Sequence, residues 1–321
     1  MSDPTARMRS VLTITLNPAL DVATSVPYVL PDRKLRCEAP RYEPGGGGIT
    51  VARALRRFGD APLAWFPIGG PAGDLLVRLL DAEGVRHETI PTREWTRENV
   101  NLLESTSGRQ FRLCMPGPTL ADREWLPFLD RLGDLLPTPP AFLVASGSLP
   151  PGVPSDFYAR LADRSHALGI HLVLDTSGDP LAQAARRGVY LLKPSLREFR
   201  SLTGSTAEDE TALIALAHAA ITEHRWCEVL VVSLGAGGAL WMSATEGGRL
   251  AAPAVPMQSA VGAGDSMVAG IVHALACDRP LAEAVRFGVA AGAASVLNPG
   301  TELCHQDDVE RLYAQVAATP L

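Results

Sequence analysis

Short apolar runs rich in β-branched residues alternate with helical patterns along the chain, and this alternation restricts the possible folds more than any other feature. The runs predicted as strands cover residues 11–16, 63–67, 141–145, 172–174 and 229–234. The predicted helices cover residues 49–58, 73–83, 265–277 and 281–297. Strands that alternate with helices form a mostly parallel sheet with helices on both faces. The pattern therefore predicts an α/β fold.

Two stretches interrupt this alternation. Residues 22–43 contain strand-like segments, and residues 99–115 are typical of a hairpin that turns at Ser107 and Gly108. Both are expected to form a small β appendage on the α/β core. Ligands of open α/β sheets lie beyond the carboxyl ends of the strands, where such an appendage can act as a lid.

Composition excludes several classes of protein. The 321 residues allow about two domains, or one large α/β domain with an appendage. A hydrophobic share of 46% and a charged share of 20% are typical of a globular chain. The net charge of −6, without a basic stripe, argues against nucleic acid as a partner, and no apolar run is long enough to span a membrane. The five cysteines lack CxxC spacing, which favours a reducing cytoplasm over a disulfide framework or zinc site.

The most informative motif is the segment Gly262, Ala263, Gly264 and Asp265, followed by a helical run. The glycines allow a ligand to approach the backbone, and the first turn of a helix presents free N–H groups and a positive dipole. The motif therefore predicts an anion site suited to phosphoryl transfer. Asp265 at its edge either accepts a proton from an alcohol or only caps the helix.

Four glycines, residues 45–48, precede the helix predicted from residue 49 and leave its N-terminus bare. Bare backbone at this point suits a polyhydroxylated substrate, whereas the alternative interpretation is a flexible loop. The run is neither a Walker A loop nor a dinucleotide fingerprint, because no Lys-Ser/Thr follows it and the glycine spacing differs.

Three weaker signals follow predicted strands. Asp21 is suited to sugar hydroxyls, although a turn-forming aspartate is the simpler interpretation. Lys193 and Glu198 suit nucleotide phosphates and a water-mediated magnesium ion, or form a solvated pair. The glycine turn from Ser233 to Gly238 carries little information by itself.

Together and in this order, these motifs resemble the PfkB (ribokinase-like) carbohydrate kinases, whose GxGD signature matches residues 262–265. The resemblance extends from about residue 11 to the end of the chain. Several passages are more similar to one branch, the minor-type bacterial 6-phosphofructokinases. These passages are KLRCEAP (34–40), EPGGGG (43–48), EWTREN (94–99), MPG (115–117), SGSLPPGV (146–153) and RFGVAAG (286–292).

The resemblance implies a single domain over residues 1–321, with a ribokinase-like three-layer α/β/α core and a β lid built from about 22–43 and 95–116. It implies transfer of the γ-phosphoryl group from MgATP to the C1 hydroxyl of fructose 6-phosphate. It also implies a cytoplasmic homodimer that pairs through the lid. Its alternatives are a tagatose-6-phosphate kinase, a 1-phosphofructokinase, or a weakly active sensor of nucleotide and sugar phosphate.

The resemblance assigns roles residue by residue. Asp265 is the expected base, and the N–H groups of Gly262, Ala263 and Gly264 stabilise the transferring phosphoryl group. The expected substrate residues are Asp21, Gly46, Gly47, Thr50, Arg97 and Ser146. The expected nucleotide residues are Lys34, Lys193, Ser195, Ser233, Gly235 and Gly238. The expected metal residues are Glu198 for Mg²⁺ through water, and Ser259, Val261, Asn298 and Gly300 for a monovalent cation such as K⁺.

Two positions depart from the family pattern. Thr50 and Ser195 stand where the family usually has asparagine, so a hydroxyl replaces an amide near the sugar and near the magnesium ion. We expect an altered substrate affinity from the first change and a weaker or shifted magnesium requirement from the second. Lys34 also raises the hypothesis of inhibition by MgATP, a feature of the branch.

Overall fold

The computed structural model describes residues 9–206 and 209–320. Its strands are β1 (Val11–Ile14), β2 (Ala19–Val26), β3 (Arg41–Gly45), β4 (Leu63–Ile68), β5 (Arg86–Pro91), β6 (Arg97–Glu104), β7 (Arg109–Leu113), β8 (Phe142–Ser146), β9 (His171–Asp175), β10 (Val189–Leu192), β11 (Cys227–Ser233), β12 (Ala239–Ser243), β13 (Gly247–Ala251) and β14 (Ala317–Pro320).

The helices lie between these strands and after them. They are α1 (Gly47–Arg57), α2 (Gly70–Ala82), α3 (Asp122–Trp125), α4 (Pro127–Asp130), α5 (Phe157–Leu168), α6 (Gly178–Ala185), α7 (Leu196–Thr203), α8 (Glu210–Thr222), α9 (Ala263–Ala276), α10 (Leu281–Ser295) and α11 (Gln306–Tyr313). Each strand and helix predicted from the alternation is present, with ends that differ by only a few residues.

The large sheet has the order β14-β13-β12-β11-β10-β9-β8-β1-β4-β5 among the described residues. Neighbouring strands from β11 to β5 run parallel, while β12, β13 and β14 add an antiparallel edge. Parallel strands place their carboxyl ends at one edge of the sheet. Side chains that follow β1, β8, β9 and β10 therefore meet there, although they are far apart in sequence.

Helices cover both faces of this sheet, as the strand pattern predicts. Val144 of β8 packs with α1, α9, α10 and α11 on one face, whereas its neighbours Leu143 and Ala145 pack with α5 to α8 on the other. Strands buried on both faces are apolar at successive positions, which explains the continuous runs in the sequence. No helix within the described ranges is long and apolar enough to cross a lipid bilayer.

The two interrupting stretches form the lid, a separate sheet with the order β3-β2-β6-β7. Strand β2 pairs antiparallel with β3 and parallel with β6, and β6 and β7 form the predicted hairpin. The lid contacts the core where the Gln110 side chain donates to the Gln258 carbonyl at 2.8 Å and the Thr301 hydroxyl donates to Glu43. This attachment places one lid face over the carboxyl edge of the large sheet.

Candidate active site

Helix α9 begins at the predicted anion site. Gly262 is the N-cap residue, with a left-handed φ of 76° that favours glycine, and no side chain caps the helix there. Asp265 lies in the first turn, but its carboxylate accepts a hydrogen bond from the Ser146 hydroxyl at 3.1 Å. The capping interpretation of Asp265 is therefore wrong. The first turn keeps free N–H groups, and a carboxylate stands beside them.

Burial changes the proton affinity of Asp265. Burial and, to a smaller extent, the negative charge of Asp175 raise the pKa of this carboxyl group to about 7, against the opposing effects of Lys193 and the hydrogen bond from Ser146. A carboxylate with a pKa near neutrality can accept a proton in one step and release it in the next. This property is suited to a general base.

A buried ion pair lies next to the anion site. The Lys193 ammonium is 3.1 Å from a carboxylate oxygen of Asp175, and only 4% of the lysine side chain is exposed. A Cβ atom added at Gly264 would lie 3.5 Å from the Lys193 ammonium, so the cation faces the first turn of α9. This buried pair excludes the interpretation of Lys193 as half of a solvated pair with Glu198.

The glycine run lies tightly packed between site side chains. A Cβ atom at Gly45 would overlap the Asp21 carboxylate, and one at Gly47 would overlap the Ser146 hydroxyl. Gly46 is the N-cap of α1 and has a φ of 103°, which also favours glycine. The interpretation of this run as a flexible loop is therefore wrong, because the bare backbone makes room for Asp21 and Ser146.

Asp21 lies within strand β2, so the turn interpretation of this residue is also wrong. The Asn99 side-chain amide donates to its carboxylate at 2.9 Å, and Asn99 also accepts from the Met115 N–H at 3.1 Å. Burial raises the pKa of Asp21, and Asn99 and Arg97 oppose that rise. The carboxylate is held on the lid face that covers the core.

The Arg97 guanidinium contacts three backbone carbonyls. It donates to the carbonyls of Met115 at 2.7 Å, Asn17 at 2.9 Å and Pro18 at 3.4 Å. Burial lowers the pKa of Arg97, and the charge of Asp21 opposes this effect. Arg97 thus holds the turn after β1 against the end of the lid hairpin, a role that the sequence did not indicate.

Thr50 lies in the first turn of α1, at the edge of the same site. Its hydroxyl donates to the Gly46 carbonyl one turn earlier at 3.1 Å. The threonine methyl group faces Gly262, where an added Cβ atom would lie 3.7 Å away. The hydroxyl that stands in place of an asparagine amide is therefore hydrogen-bonded to the N-cap residue of its own helix.

The predicted nucleotide residues lie beyond Lys193. Ser195 and Glu198 form a capping box at the start of α7, in which the serine hydroxyl accepts from the Glu198 N–H at 3.3 Å and the glutamate accepts from the Ser195 N–H at 2.8 Å. A backbone bridge pairs Ser195 with Ser233. These contacts bring the ends of β10 and β11 together.

The two ends of the glycine turn after β11, Gly235 and Gly238, lie in different surroundings. A Cβ atom at Gly235 would meet no other atom within 4 Å, so this position faces open space. A Cβ atom at Gly238 would overlap the Leu250 carbonyl of β13.

The four residues predicted for a monovalent cation lie in two adjacent loops. The Ser259 hydroxyl donates to the Gly300 carbonyl at 2.6 Å and accepts from the Val261 N–H at 3.2 Å. The Asn298 amide donates to the Leu303 carbonyl at 3.0 Å. The loops that precede and flank the anion site are thus joined by hydrogen bonds.

Comparison with known proteins now identifies this arrangement. The family model of the pfkB family carbohydrate kinases matches residues 15–308. The chain belongs to this family. Its ribokinase-like fold, with a large mostly parallel sheet and a small separate sheet, is the fold of solved kinases of this family.

Two individual members of the pfkB family align with most of the chain. The ATP-dependent 6-phosphofructokinase isozyme 2 of Mycobacterium tuberculosis is 46% identical over 310 residues, which cover 97% of this chain and 90% of that protein. The isozyme 2 of Escherichia coli is 40% identical over 311 residues, covering 97% of this chain and all of that protein.

Two solved structures of the Escherichia coli kinase superpose on this fold. The complex with potassium has a TM-score of 0.91 at 40% identity, and the complex with fructose 6-phosphate has a TM-score of 0.90 at 39% identity. Each comparison covers 96% of this chain and 99% of the other.

Within this pfkB kinase, the structure adds residues to the predicted site. Asp175 pairs with Lys193 and raises the pKa of Asp265, and Asn99 holds Asp21. Asp175 ends strand β9, so the rule that selected Asp21, a carboxylate after a predicted strand, would also have selected it. Asn99 carried no comparable signal, because it lies inside a lid strand.

Proposed function

We propose that this chain is an ATP-dependent 6-phosphofructokinase that transfers the γ-phosphoryl group of ATP to the C1 hydroxyl of fructose 6-phosphate. The observation that carries this proposal is the half-buried Asp265 carboxylate beside the free N–H groups of α9, with a pKa of about 7. The two 6-phosphofructokinases whose alignments cover 97% of the chain, at 46% and 40% identity, support the choice of acceptor.

In the proposed reaction, the C1 oxygen attacks the γ-phosphorus as its proton passes to Asp265. The bond from phosphorus to the oxygen that bridges the β- and γ-phosphates breaks, and ADP leaves with that oxygen. The N–H groups of Gly262, Ala263 and Gly264 and the Lys193 ammonium stabilise the charge on the transferring group. Asp21 and the backbone at Gly46 and Gly47 hold the sugar hydroxyls, while Ser146 orients the base.

Arg97 and the remaining nucleotide residues complete the proposed assignment. Arg97 uses three of its N–H groups on carbonyls, and we assign its remaining N–H groups to the 6-phosphate. Ser195, Ser233 and Gly235 line the nucleotide side, where Gly235 faces open space. Lys34 is assigned to nucleotide from the lid.

The residues present fit a magnesium ion bound with ATP. Burial and the charge of Glu198 raise the pKa of Asp175, so these two carboxylates lie near each other beside Lys193. Mg²⁺ commonly uses one or two carboxylates together with water and substrate phosphates. Glu198 would hold it through water, and the ion would neutralise charge on the phosphates.

The oxygen-rich loops at Ser259, Val261, Asn298 and Gly300 fit a monovalent cation. Backbone carbonyls and a side-chain amide are hard oxygen donors, and Ser259 already joins the two loops at Gly300. We assign potassium to these loops, where a cation would strengthen the positive field near the anion site. The solved potassium complex of the Escherichia coli kinase supports this choice.

We further propose that the chain acts as one domain with its lid and forms a homodimer through that lid. The lid face opposite the core carries an apolar row across its four strands: Tyr42, Val22, Val100 and Leu113. Tyr42 and Leu113 are 44% and 48% exposed, and exposed apolar faces of this kind mark interfaces between subunits.

The test of this function is ADP release from the purified chain with MgATP and one acceptor at a time. The acceptors are fructose 6-phosphate, tagatose 6-phosphate, fructose 1-phosphate and ribose, each assayed beside Asp265→Asn. We expect the highest kcat/KM with fructose 6-phosphate. Asp265→Asn should lower kcat by about 10²–10⁴ while both substrates still bind, because only the base is lost.

Other outcomes would replace this proposal. A clear preference for tagatose 6-phosphate or fructose 1-phosphate would make the chain a different sugar-phosphate kinase of the same family. Binding of nucleotide and sugar phosphate without turnover would make it a sensor.

A further inference from the structure

Arg53 is a buried cation on α1 that takes no part in the proposed chemistry. Only 3% of its side chain is exposed. Two of its N–H groups form a fork with Glu83 at 2.7 and 2.6 Å, and a third donates to the Pro44 carbonyl at 2.8 Å. Glu83 accepts the two hydrogen bonds of the fork. The third hydrogen bond goes to Pro44 in β3, the strand that leads into the glycine run.

The bond to Pro44 acts on the sugar side of the site. Pro44 is followed by Gly45, where any side chain would overlap the Asp21 carboxylate. Strand β3 pairs with β2 in this region, with Pro44 opposite Leu20 and Glu43 opposite Asp21. The position of the Pro44 carbonyl therefore sets how closely the bare backbone approaches Asp21.

The charge of Arg53 also acts on Asp21. Its positive charge is among those that lower the pKa of this half-buried carboxylate against the effect of burial. Glu83 is 33% exposed, so water screens its opposing charge more than the charge of Arg53. The polar and charged groups around Asp21 are Glu43 on β3, Asn99 and Arg97 on β6, Arg112 on β7, Arg53 on α1 and Asp265 on α9.

We propose that Arg53 is a positioning residue for the sugar subsite, which holds the Pro44–Gly45 backbone in place beside the Asp21 carboxylate that receives sugar hydroxyls. This role rests on the proposed function of Asp21 in sugar binding. It concerns sugar affinity, not phosphoryl transfer, because no group of Arg53 reaches the anion site or the nucleotide residues.

Three variants separate this role from a general effect on stability. Arg53→Met keeps the length but removes the charge and the hydrogen bonds, and Arg53→Lys keeps the charge but loses the fork. Glu83→Gln is the matched control, because it weakens the fork and leaves the bond to Pro44. Each is compared with wild type in kcat, in KM for sugar and ATP, and in melting temperature.

The sugar in these assays is the acceptor that the wild-type chain turns over best. A failure of fructose 6-phosphate as acceptor would therefore count against the proposed function and leave the test of Arg53 intact. We expect Arg53→Met to raise the sugar KM at least tenfold while the ATP KM changes less than twofold. Arg53→Lys should raise it less, and Glu83→Gln should lower the melting temperature while the sugar KM stays within about twofold.

The split between the two KM values, with partial rescue by Arg53→Lys, gives a readout that a general loss of stability would not produce. Equal increases in the sugar KM and the ATP KM of Arg53→Met would overturn the proposal. If Arg53→Met does not fold, Arg53→Lys still tests it through the ratio of the two KM values.

Discussion

At the residue scale, the properties of the site follow from where single charges are buried. Asp265 and Asp175 are two half-buried carboxylates near one ammonium group, that of Lys193, which lies 3.1 Å from Asp175. Burial raises both pKa values, and a neighbouring carboxylate adds to each rise, Asp175 for Asp265 and Glu198 for Asp175, whereas Lys193 lowers both. The site therefore holds one carboxylate in a salt bridge and keeps the other available for a proton.

This arrangement predicts an acidic limb in the rate profile. The base must be ionised to act, and its pKa is raised to about 7, so kcat/KM for the sugar should fall about tenfold per pH unit below that value. Ser146→Ala removes a hydrogen bond that favours the ionised form, so it should move the limb to higher pH. The measurement is kcat/KM from pH 5 to 9, and a limb near pH 4 would contradict the assignment.

Thr50 leads to a second prediction at this scale. Because its hydroxyl is bonded to the Gly46 carbonyl, Thr50→Val should change the sugar KM less than twofold. Thr50→Asn adds an amide donor that can reach the sugar, and one new hydrogen bond of about 0.5–1.5 kcal/mol should lower the sugar KM about 2–13-fold. Steady-state kinetics with the ATP KM as the reference would check both. A large rise in the sugar KM of Thr50→Val would place the hydroxyl on the substrate.

At the scale of elements, three helix starts surround the site. Helices α1 and α9 begin at glycines without a capping side chain, whereas α7 begins with the Ser195–Glu198 capping box. An uncapped first turn has free N–H groups for an anion, but in α1 the Thr15 hydroxyl accepts a hydrogen bond from the Ile49 N–H at 2.8 Å. The start of α9 is therefore better suited to an anion than that of α1, and α7 supplies a fixed carboxylate.

The capping box predicts two separable effects at Ser195. Ser195→Ala loses the cap and should lower the free energy of unfolding by about 1 kcal/mol. Ser195→Asn keeps a capping side chain and extends an amide toward the proposed magnesium site, so it should lower the free Mg²⁺ concentration needed for half-maximal rate. Thermal unfolding and a magnesium titration at saturating ATP would measure these effects. A wild-type requirement as low as that of Ser195→Asn would contradict the second.

At the scale of the whole molecule, the lid has two chemically different faces. The face toward the core carries the Asp21 row and attaches through Gln110 and Glu43, whereas the opposite face carries the apolar row that includes Tyr42 and Leu113. Lid strands alternate between these faces, which explains why their sequence resembles half-buried strands. A second lid would cover the apolar face.

This geometry predicts that Leu113→Asp weakens the dimer at least tenfold, because a charge would enter the apolar row. Sedimentation velocity over a range of protein concentrations would measure the change. Met257→Asp is the matched control, since this residue is 71% exposed outside the lid and the substitution should leave the mass unchanged. A wild-type chain that stays monomeric at all concentrations would contradict the proposed dimer.

The sequence by itself determined the α/β class, the lid segments and the two glycine-rich helix starts. Each of these depends on residues close together in the chain, where alternation, glycine and turn chemistry act locally. Asp265 and the residues at 45–48 were recognisable for the same reason. The motif left the role of Asp265 open, because its neighbouring residues are compatible with both a helix cap and a general base.

Only the tertiary structure excluded the helix cap. The Ser146 hydroxyl that binds Asp265 lies 119 positions away, and the Asp175–Lys193 pair forms only because β9 and β10 lie side by side. The carbonyl contacts of Arg97 and the link from Arg53 to Pro44 arise in the same way. Such contacts depend on how parallel strands align their carboxyl ends and on how tightly the helices pack, and no local pattern encodes those distances.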